Sequence, residues 1–272
     1  MAIVKHIKSK NANYTDAINY LFYQHDEKTK TLLLNEYGQP MLREEFYADG
    51  LNCTPETFDL DCSGTNRTFN KNRRPGEIKS HHYIISYDPR DASDCGLTGE
   101  KAQELSLEVA QKMFPGHQAL VVTHTDGENH SGNIHTHIVI NSVRANETEK
   151  EDYMTQASDY KAGGKHRSTN KFMEHFKKEV MAMCEREGLH QIDLLSPAPE
   201  KVTEAEFRAK SRGQEKMEKI NKKITAEGLK PSATTFQTQK DFLRKAIKDC
   251  SREAKNFEEF QSLLLENYNI SV

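Results

Sequence analysis

Four histidines fall within fourteen residues of the stretch "HTDGENHSGNIHTHIVIN", which runs from His124 to Asn141: His124, His130, His135 and His137. Imidazole binds divalent metals, and the apolar "IVI" that follows has the character of a buried strand. Strand side chains alternate faces, so His135 and His137 point the same way, about 7 Å apart along the backbone. His124 ends the preceding apolar run "HQALVVTH", and a hairpin through the Gly/Asn/Ser-rich segment between the runs brings it beside the other two. Three imidazoles converging from a rigid sheet can hold a divalent ion and leave coordination positions open for chemistry. Asp126 is placed to accept a hydrogen bond from a ligand imidazole or an attacking hydroxyl; its bland alternative is a turn-forming residue before Gly127. His130, in the loop, is a bystander. His82 alternates with Ile84 and Ser86 and lines the same sheet face, whereas His6, His25, His81, His117, His166, His175 and His190 are scattered and taken as structural or surface residues.

Neutral imidazoles leave the metal its full charge, which suits polarising a phosphoryl oxygen. Such chemistry needs a nucleophile, and no GxSxG or Cys-His signature is present. Tyr14, Tyr20 and Tyr23 stand out in "NYTDAINYLFYQ". A tyrosine hydroxyl attacks phosphodiesters once a base or a metal assists it, because its free pKa lies near 10. The alternative for each ring is core packing on an amphipathic helix.

The elements that must position these groups are legible in part. "AIVKHIK" alternates and reads as a strand. "YTDAINYLFYQ" has helical spacing, with Thr15 or Asp16 as its cap. Residues 26–75 hold turn signals without long periodic runs. "SHHYIISYDP" is a strand ended by Pro89, and "LTGEKAQELSLEVAQKMFPG" a helix capped by Thr98 and stopped by Pro115-Gly116. The two histidine-bearing strands follow, then a helix over "STNKFMEHFKKEVMAMCEREG", capped by Ser168 or Thr169. Together these predict an α+β fold, a central antiparallel sheet with helices packed on one face. Residues 1–195 form the core. Residues 196–272 form a helical C-terminal segment with two long patterns, 204–227 and 240–267. From Lys201 onward fifteen Lys/Arg oppose eleven Asp/Glu, although the whole chain carries a net charge of −3. That balance excludes a histone-like polybasic protein but not local nucleic-acid binding. Five cysteines, an odd number with no CxxC, read as reduced thiols; with no signal-peptide pattern and no run of about eighteen apolar residues, the expected location is cytoplasmic.

With these residues in place, the chain resembles conjugative relaxases of the HUH superfamily, MOBP class, found on mobilisable plasmids and integrative conjugative elements. The histidine stretch resembles their third motif, through His124, Asp126, His135, His137 and Asn141. "DAINYLFYQHDEKT" is similar to the tyrosine-bearing first motif, "HHYIISYDP" to the second, and "ADGLNC", "KHRSTNKF" and "KNFEEFQSLLLENYNISV" to further segments in the same order. The resemblance implies a palm-like sheet. It also implies a Tyr20 nucleophile that nicks one strand at an origin of transfer, leaving a 5'-phosphotyrosine and a free 3'-hydroxyl, with religation as the reverse step. Tyr23, three residues on and one helical turn away, is the alternative nucleophile. The implied cofactor is a divalent metal ion: Mn, Mg or Zn. The implied partners are origin DNA, as single strand with adjacent duplex or hairpin, an accessory relaxosome protein and a coupling protein. Arg73 and Arg74, in "NKNRRPGEIKS", and Lys165 and Arg167, in "YKAGGKHRSTNKF", are expected to flank the site and bind DNA phosphates, with Asn141 as a further DNA contact. Family members run on into a further C-terminal region, so the chain is expected to be part of a longer protein. The competing readings are a non-catalytic nucleic-acid-binding module with a structural metal, a rolling-circle replication initiator, in which the tyrosine usually follows the histidines, and a cupin-type oxygenase, disfavoured by the long helices.

Overall fold

The computed structural model of the chain describes residues 2–26, 29, 31–127, 133–197 and 202–272. It divides into two compact units, Met1–Pro197 and Ala198–Val272.

The first unit is built on five strands: β1 (Ile3–Ser9), β2 (Phe46–Leu51), β3 (Ser80–Ser86), β4 (His117–His124) and β5 (His135–Arg144). They form one sheet in the order β1-β3-β5-β4-β2, antiparallel throughout. The helices are α1 (Thr15–Phe22), α2 (Phe58–Thr68), α3 (Pro89–Asp94), α4 (Gly99–Met113) and α5 (Asn170–Arg186). The period-two alternation of β3, β4 and β5 sorts their side chains between two faces. Tyr83, Ile85, Ala119, Val121, Ile138 and Ile140 turn to one face, where they pack with the apolar stripes of α4 and α5 in the main core. The Tyr83 ring lies 4.9 Å from Phe114 and 5.2 Å from Phe176, centroid to centroid.

The antiparallel α+β architecture and the long helices over one face follow the expectation. The other face is covered as well, over part of its area, by short elements. Leu21 of α1 and Phe58 and Cys62 of α2 bury against Leu120, Val122 and Val139. Beyond β3 this face opens, and Ile3 and Ile7 of β1 are 45% and 40% exposed.

Caps hold where side chains are free to make them. The Thr98 hydroxyl accepts from the Lys101 N–H, and Thr169 from Phe172. Gly116 ends α4 with φ +77, and a Cβ there would lie 2.2 Å from the Asn146 carbonyl oxygen. At α1 the expected cap is absent: Tyr14 takes the N-cap position without a side-chain bond, and Asp16 instead accepts from Asn11 and Asn13. The turn-rich 26–75 region contains β2 and α2, neither of which the sequence pattern announces. Their reason is tertiary. α2 holds Gly, Ser, Thr and Asn, poor helix formers, and is stabilised by burying Phe58 and Cys62 one turn apart.

Among its described residues the second unit has three helices, α6 (Glu204–Ala226), α7 (Gln239–Glu253) and α8 (Phe257–Tyr268). The 240–267 pattern is therefore two helices, not one. Ala254 is extended and Asn256 starts a new helix by accepting from the Glu259 N–H at 2.8 Å. Ala246, Cys250 and Leu264 form its buried centre, and Arg244 pairs with Glu206. Among the described residues no helix is long and apolar enough to cross a membrane.

Phe58→Ala removes a fully buried ring from the short-helix face. It is expected to cost about 3–5 kcal/mol, read as a lowered midpoint in urea unfolding, while the helix content of the second unit is retained.

Candidate metal centre and tyrosine helix

The register of β4 and β5 pairs His124 with His135 and Val122 with His137, so all three imidazoles share one face at one end of the sheet. Their rings stand 4.8–5.3 Å apart, centroid to centroid. One ligand nitrogen from each can be chosen so that all lie within 4.8 Å of one another.

Each ring is also fixed from behind. His124 Nε2 meets the Leu21 carbonyl at 2.7 Å, and His135 Nδ1 meets the Asn133 carbonyl at 2.9 Å. A carbonyl oxygen only accepts, so those nitrogens carry the protons and the opposite ring nitrogens keep lone pairs. His137 Nδ1 contacts His82 Nε2 at 2.7 Å, so His82 shares the face as its alternation predicts. Burial holds His124 down to about 3, with the nearby positive Arg43 adding to the effect, and pushes His137 well below the ordinary histidine range. A neutral, oriented imidazole is the form that donates to a cation, so the donor set fits a divalent metal.

Tyr20 projects from α1 over this cluster. The residue is 48% exposed and its ring stands 6.0 Å from the His137 ring, edge to face. The next residue, Leu21, is fully buried, and its carbonyl holds His124. α1 ends at Phe22; Tyr23 is its C-cap, with extended backbone, and bridges Leu42. Tyr14 is buried and donates to the Lys79 carbonyl at 2.9 Å, a packing role.

Asp126 forms an ion pair at 2.7 Å with Arg43, a residue that the sequence reading missed. Arg43 sits in the unpatterned 26–75 region, so no local signal marks it, yet only 17% of its side chain is exposed. His130 lies outside the described residues.

The basic segments do not flank the histidines. Lys165 bridges Val143, and Asn72 reaches Ser142, near the opposite end of β5. Val143 lies six positions along β5 from His137, about 20 Å. There Arg73 and Arg74 are exposed, Lys165 pairs with Glu77 at 3.7 Å, and Arg167 with Asp159 at 2.9 Å. Asn141 is wholly buried. It accepts from Tyr14 and donates to Gln118 at 3.2 Å, so it ties strands to helices and has no surface for DNA.

Burial has a consequence for acid stability. His81, His117, His124 and His137 are each at most 3% exposed, and burial depresses all four. Unfolded, an imidazole titrates near 6.5; folded, His81 and His124 titrate at about 3. Stability is therefore full above pH 6.5 and lost as the pH falls toward 3, because the unfolded chain takes up protons that the fold refuses. Urea midpoints of the chelator-treated chain should be flat from pH 7 to 8 and fall steeply below 6.5, by on the order of 1 kcal/mol per pH unit for each such histidine.

A family model described as Relaxase, MobA/VirD2-like, nuclease domain, matches residues 33–189, more than half of the chain. The match includes the three histidines and begins after Tyr20. A protein rlx of Staphylococcus aureus is 25% identical over 217 residues, covering 80% of this chain and 52% of the relative. Another protein rlx of that organism is 32% identical over 140 residues, covering 52% of this chain and 36% of the relative. The chain thus spans about half or less of the length of these curated relatives. Among solved structures, the MobM relaxase domain bound to 26-nucleotide pMV158 oriT DNA is 16% identical, covering 76% of this chain and 98% of that one, with a TM-score of 0.41. The conjugative relaxase TrwC in a metal-bound complex with oriT DNA is 13% identical, covering 97% and 98%, with a TM-score of 0.40. On the extent of the family match, the chain belongs to the relaxases with a MobA/VirD2-like nuclease domain.

Proposed function

We propose that this chain nicks one DNA strand at an origin of transfer by tyrosine transesterification. The observation that carries the proposal is the half-exposed Tyr20, its ring 6.0 Å from the buried His137 ring. A tyrosine placed for packing would be covered; this one faces outward beside three imidazoles that share one face of the sheet.

In this reading the Tyr20 hydroxyl oxygen attacks the scissile phosphorus, the P–O3' bond breaks, and the 3' oxygen leaves as a free hydroxyl. The product is a 5'-phosphotyrosine. The new bond is again a phosphodiester, so the 3'-hydroxyl can attack it in reverse and reseal the strand without an external energy source. His124, His135 and His137 would hold a divalent metal, Mn, Mg or Zn, which supplies charge neutralisation at the non-bridging phosphate oxygens. The chain's own groups do the rest. The Leu21 and Asn133 carbonyls and His82 orient the three rings, Arg43 places a fixed positive charge beside His124, and Asp126 is the proposed acceptor for the hydroxyl proton. The open face over β1, with Ile3 and Ile7 exposed, offers apolar surface to unstacked bases. The basic end of β5 lies roughly 20 Å from the histidines. Arg73 and Arg74 are accordingly proposed to grip phosphates that far from the nick, with Lys165 and Arg167 beside them. Residues 198–272 are proposed to bind adjacent duplex or hairpin DNA, or an accessory relaxosome or coupling protein, in the cytoplasm.

The test is incubation with single-stranded oligonucleotides spanning the transfer origin of the element that encodes the chain, with divalent metal. The wild type should give a free 3'-hydroxyl fragment and a protein–DNA band resistant to denaturation. Tyr20→Phe should abolish both, and Tyr23→Phe should retain them; the opposite pattern would move the nucleophile. His137→Ala should reduce cleavage at least about a hundredfold, the scale of losing a key electrostatic group.

A further inference from the structure

We propose that Asp91, Cys95 and His190 form a second metal site, remote in sequence from the three-histidine cluster and suited to zinc(II). One ligand atom from each lies within 4.8 Å of the others. The Asp91 carboxylate and the His190 Nδ1 are 2.8 Å apart, Cys95 Sγ and His190 Nδ1 3.8 Å, and Cys95 Sγ and Asp91 Oδ1 3.9 Å. Zinc bonds of about 2.0 Å to nitrogen and oxygen and 2.3 Å to sulfur, at tetrahedral angles, put such atoms roughly 3.3–3.6 Å apart. The triangle is already close to that size, so an ion enters with shifts of a few tenths of an ångström.

The three groups converge for local reasons. Asp91 and Cys95 are four residues apart on α3 and its C-cap, so they share a face. Asp91 is completely buried, and its Oδ2 accepts from the Asp88 N–H at 3.0 Å, which leaves Oδ1 facing the other two groups. His190 comes from the loop after α5, and its backbone N–H also donates to Asp91 Oδ1 at 2.8 Å. Its Nε2 lies 3.5 Å from Asp94 Oδ2. That carboxylate keeps a proton on Nε2, so once Nδ1 gives up the proton it shares with Asp91 the ring stays neutral and Nδ1 can donate to a metal. Cys95 is exposed, so an ion can reach the site from solvent and water can complete its shell.

Binding exchanges protons for metal: the thiol proton and the Nδ1 proton leave to solvent. The thiolate, the neutral imidazole and the carboxylate then donate to the ion, and no redox change is involved. Thiolate with imidazole selects a borderline metal such as zinc over magnesium or manganese, so the site differs in preference from a phosphoryl-transfer centre. It would clip the segment after β3 to the loop after α5.

Cobalt(II) separates the two sites by chemistry. A thiolate ligand gives a near-ultraviolet sulfur-to-cobalt charge-transfer band, whereas a three-histidine site contains no sulfur. Added to the chelator-treated full chain, cobalt(II) should produce that band, and zinc(II) should displace it. Cys95→Ser should remove the band together with one bound equivalent, and His190→Asn should do the same with the thiol still present. Cys53→Ser and His135→Ala should keep the band. No band in the wild type, or a band that survives Cys95→Ser, overturns the proposal and leaves Asp91 and His190 as a hydrogen-bonded clasp.

Discussion

The pairing of His124 with His135 across β4 and β5 is the constraint on which the site depends. Side chains alternate with period two, so a slip of one residue in that pairing would turn one strand's histidine away from the other's. The register is held by what lies on the far face. Val121 and Ile138 are opposite one another and fully buried beneath α4 and α5, and the Thr123 and Thr136 hydroxyls share a 2.7 Å hydrogen bond. The apolar core thus decides where the imidazoles stand, and burial in the sheet keeps His124 and His137 neutral.

The same economy governs the tyrosine. α1 is only eight residues long, too short to be stable alone. It is anchored by Leu21, whose side chain enters the core while its carbonyl accepts a hydrogen bond from His124. With Leu21 fixed, the preceding side chain points out over the cluster. One residue therefore links helix packing, ligand orientation and the position of Tyr20. Loss of that packing would disturb the metal centre and the nucleophile together.

Sequence reading reached the parts of the molecule governed by local periodicity. The alternation in "IHTHIVI" and "HHYIIS" placed His135, His137 and His82 on one face, and the Thr98 and Thr169 caps bounded the long helices. It failed where a partner distant in the chain decides the outcome. β2 and α2 have weak propensity and form because Phe58, Cys62 and β4 supply burial. Arg43 meets Asp126 across eighty-three positions, so nothing near either residue announces the pair. Asn141 read as a polar residue available to DNA, but its amide satisfies buried groups on two helices and a strand. Arg73, Arg74, Lys165 and Arg167 stand out in the sequence as two basic segments. Their distance from the histidines follows from the direction of β5, which composition does not encode.

The account stands or falls on Tyr20 as the residue that carries DNA. The direct measurement is mass spectrometry of the trapped protein–oligonucleotide adduct after nuclease trimming and proteolysis, locating the nucleotide on the peptide map. The account predicts a phosphodiester-linked nucleotide on Tyr20. A nucleotide on Tyr23, on another residue, or on none despite strand cleavage would contradict it.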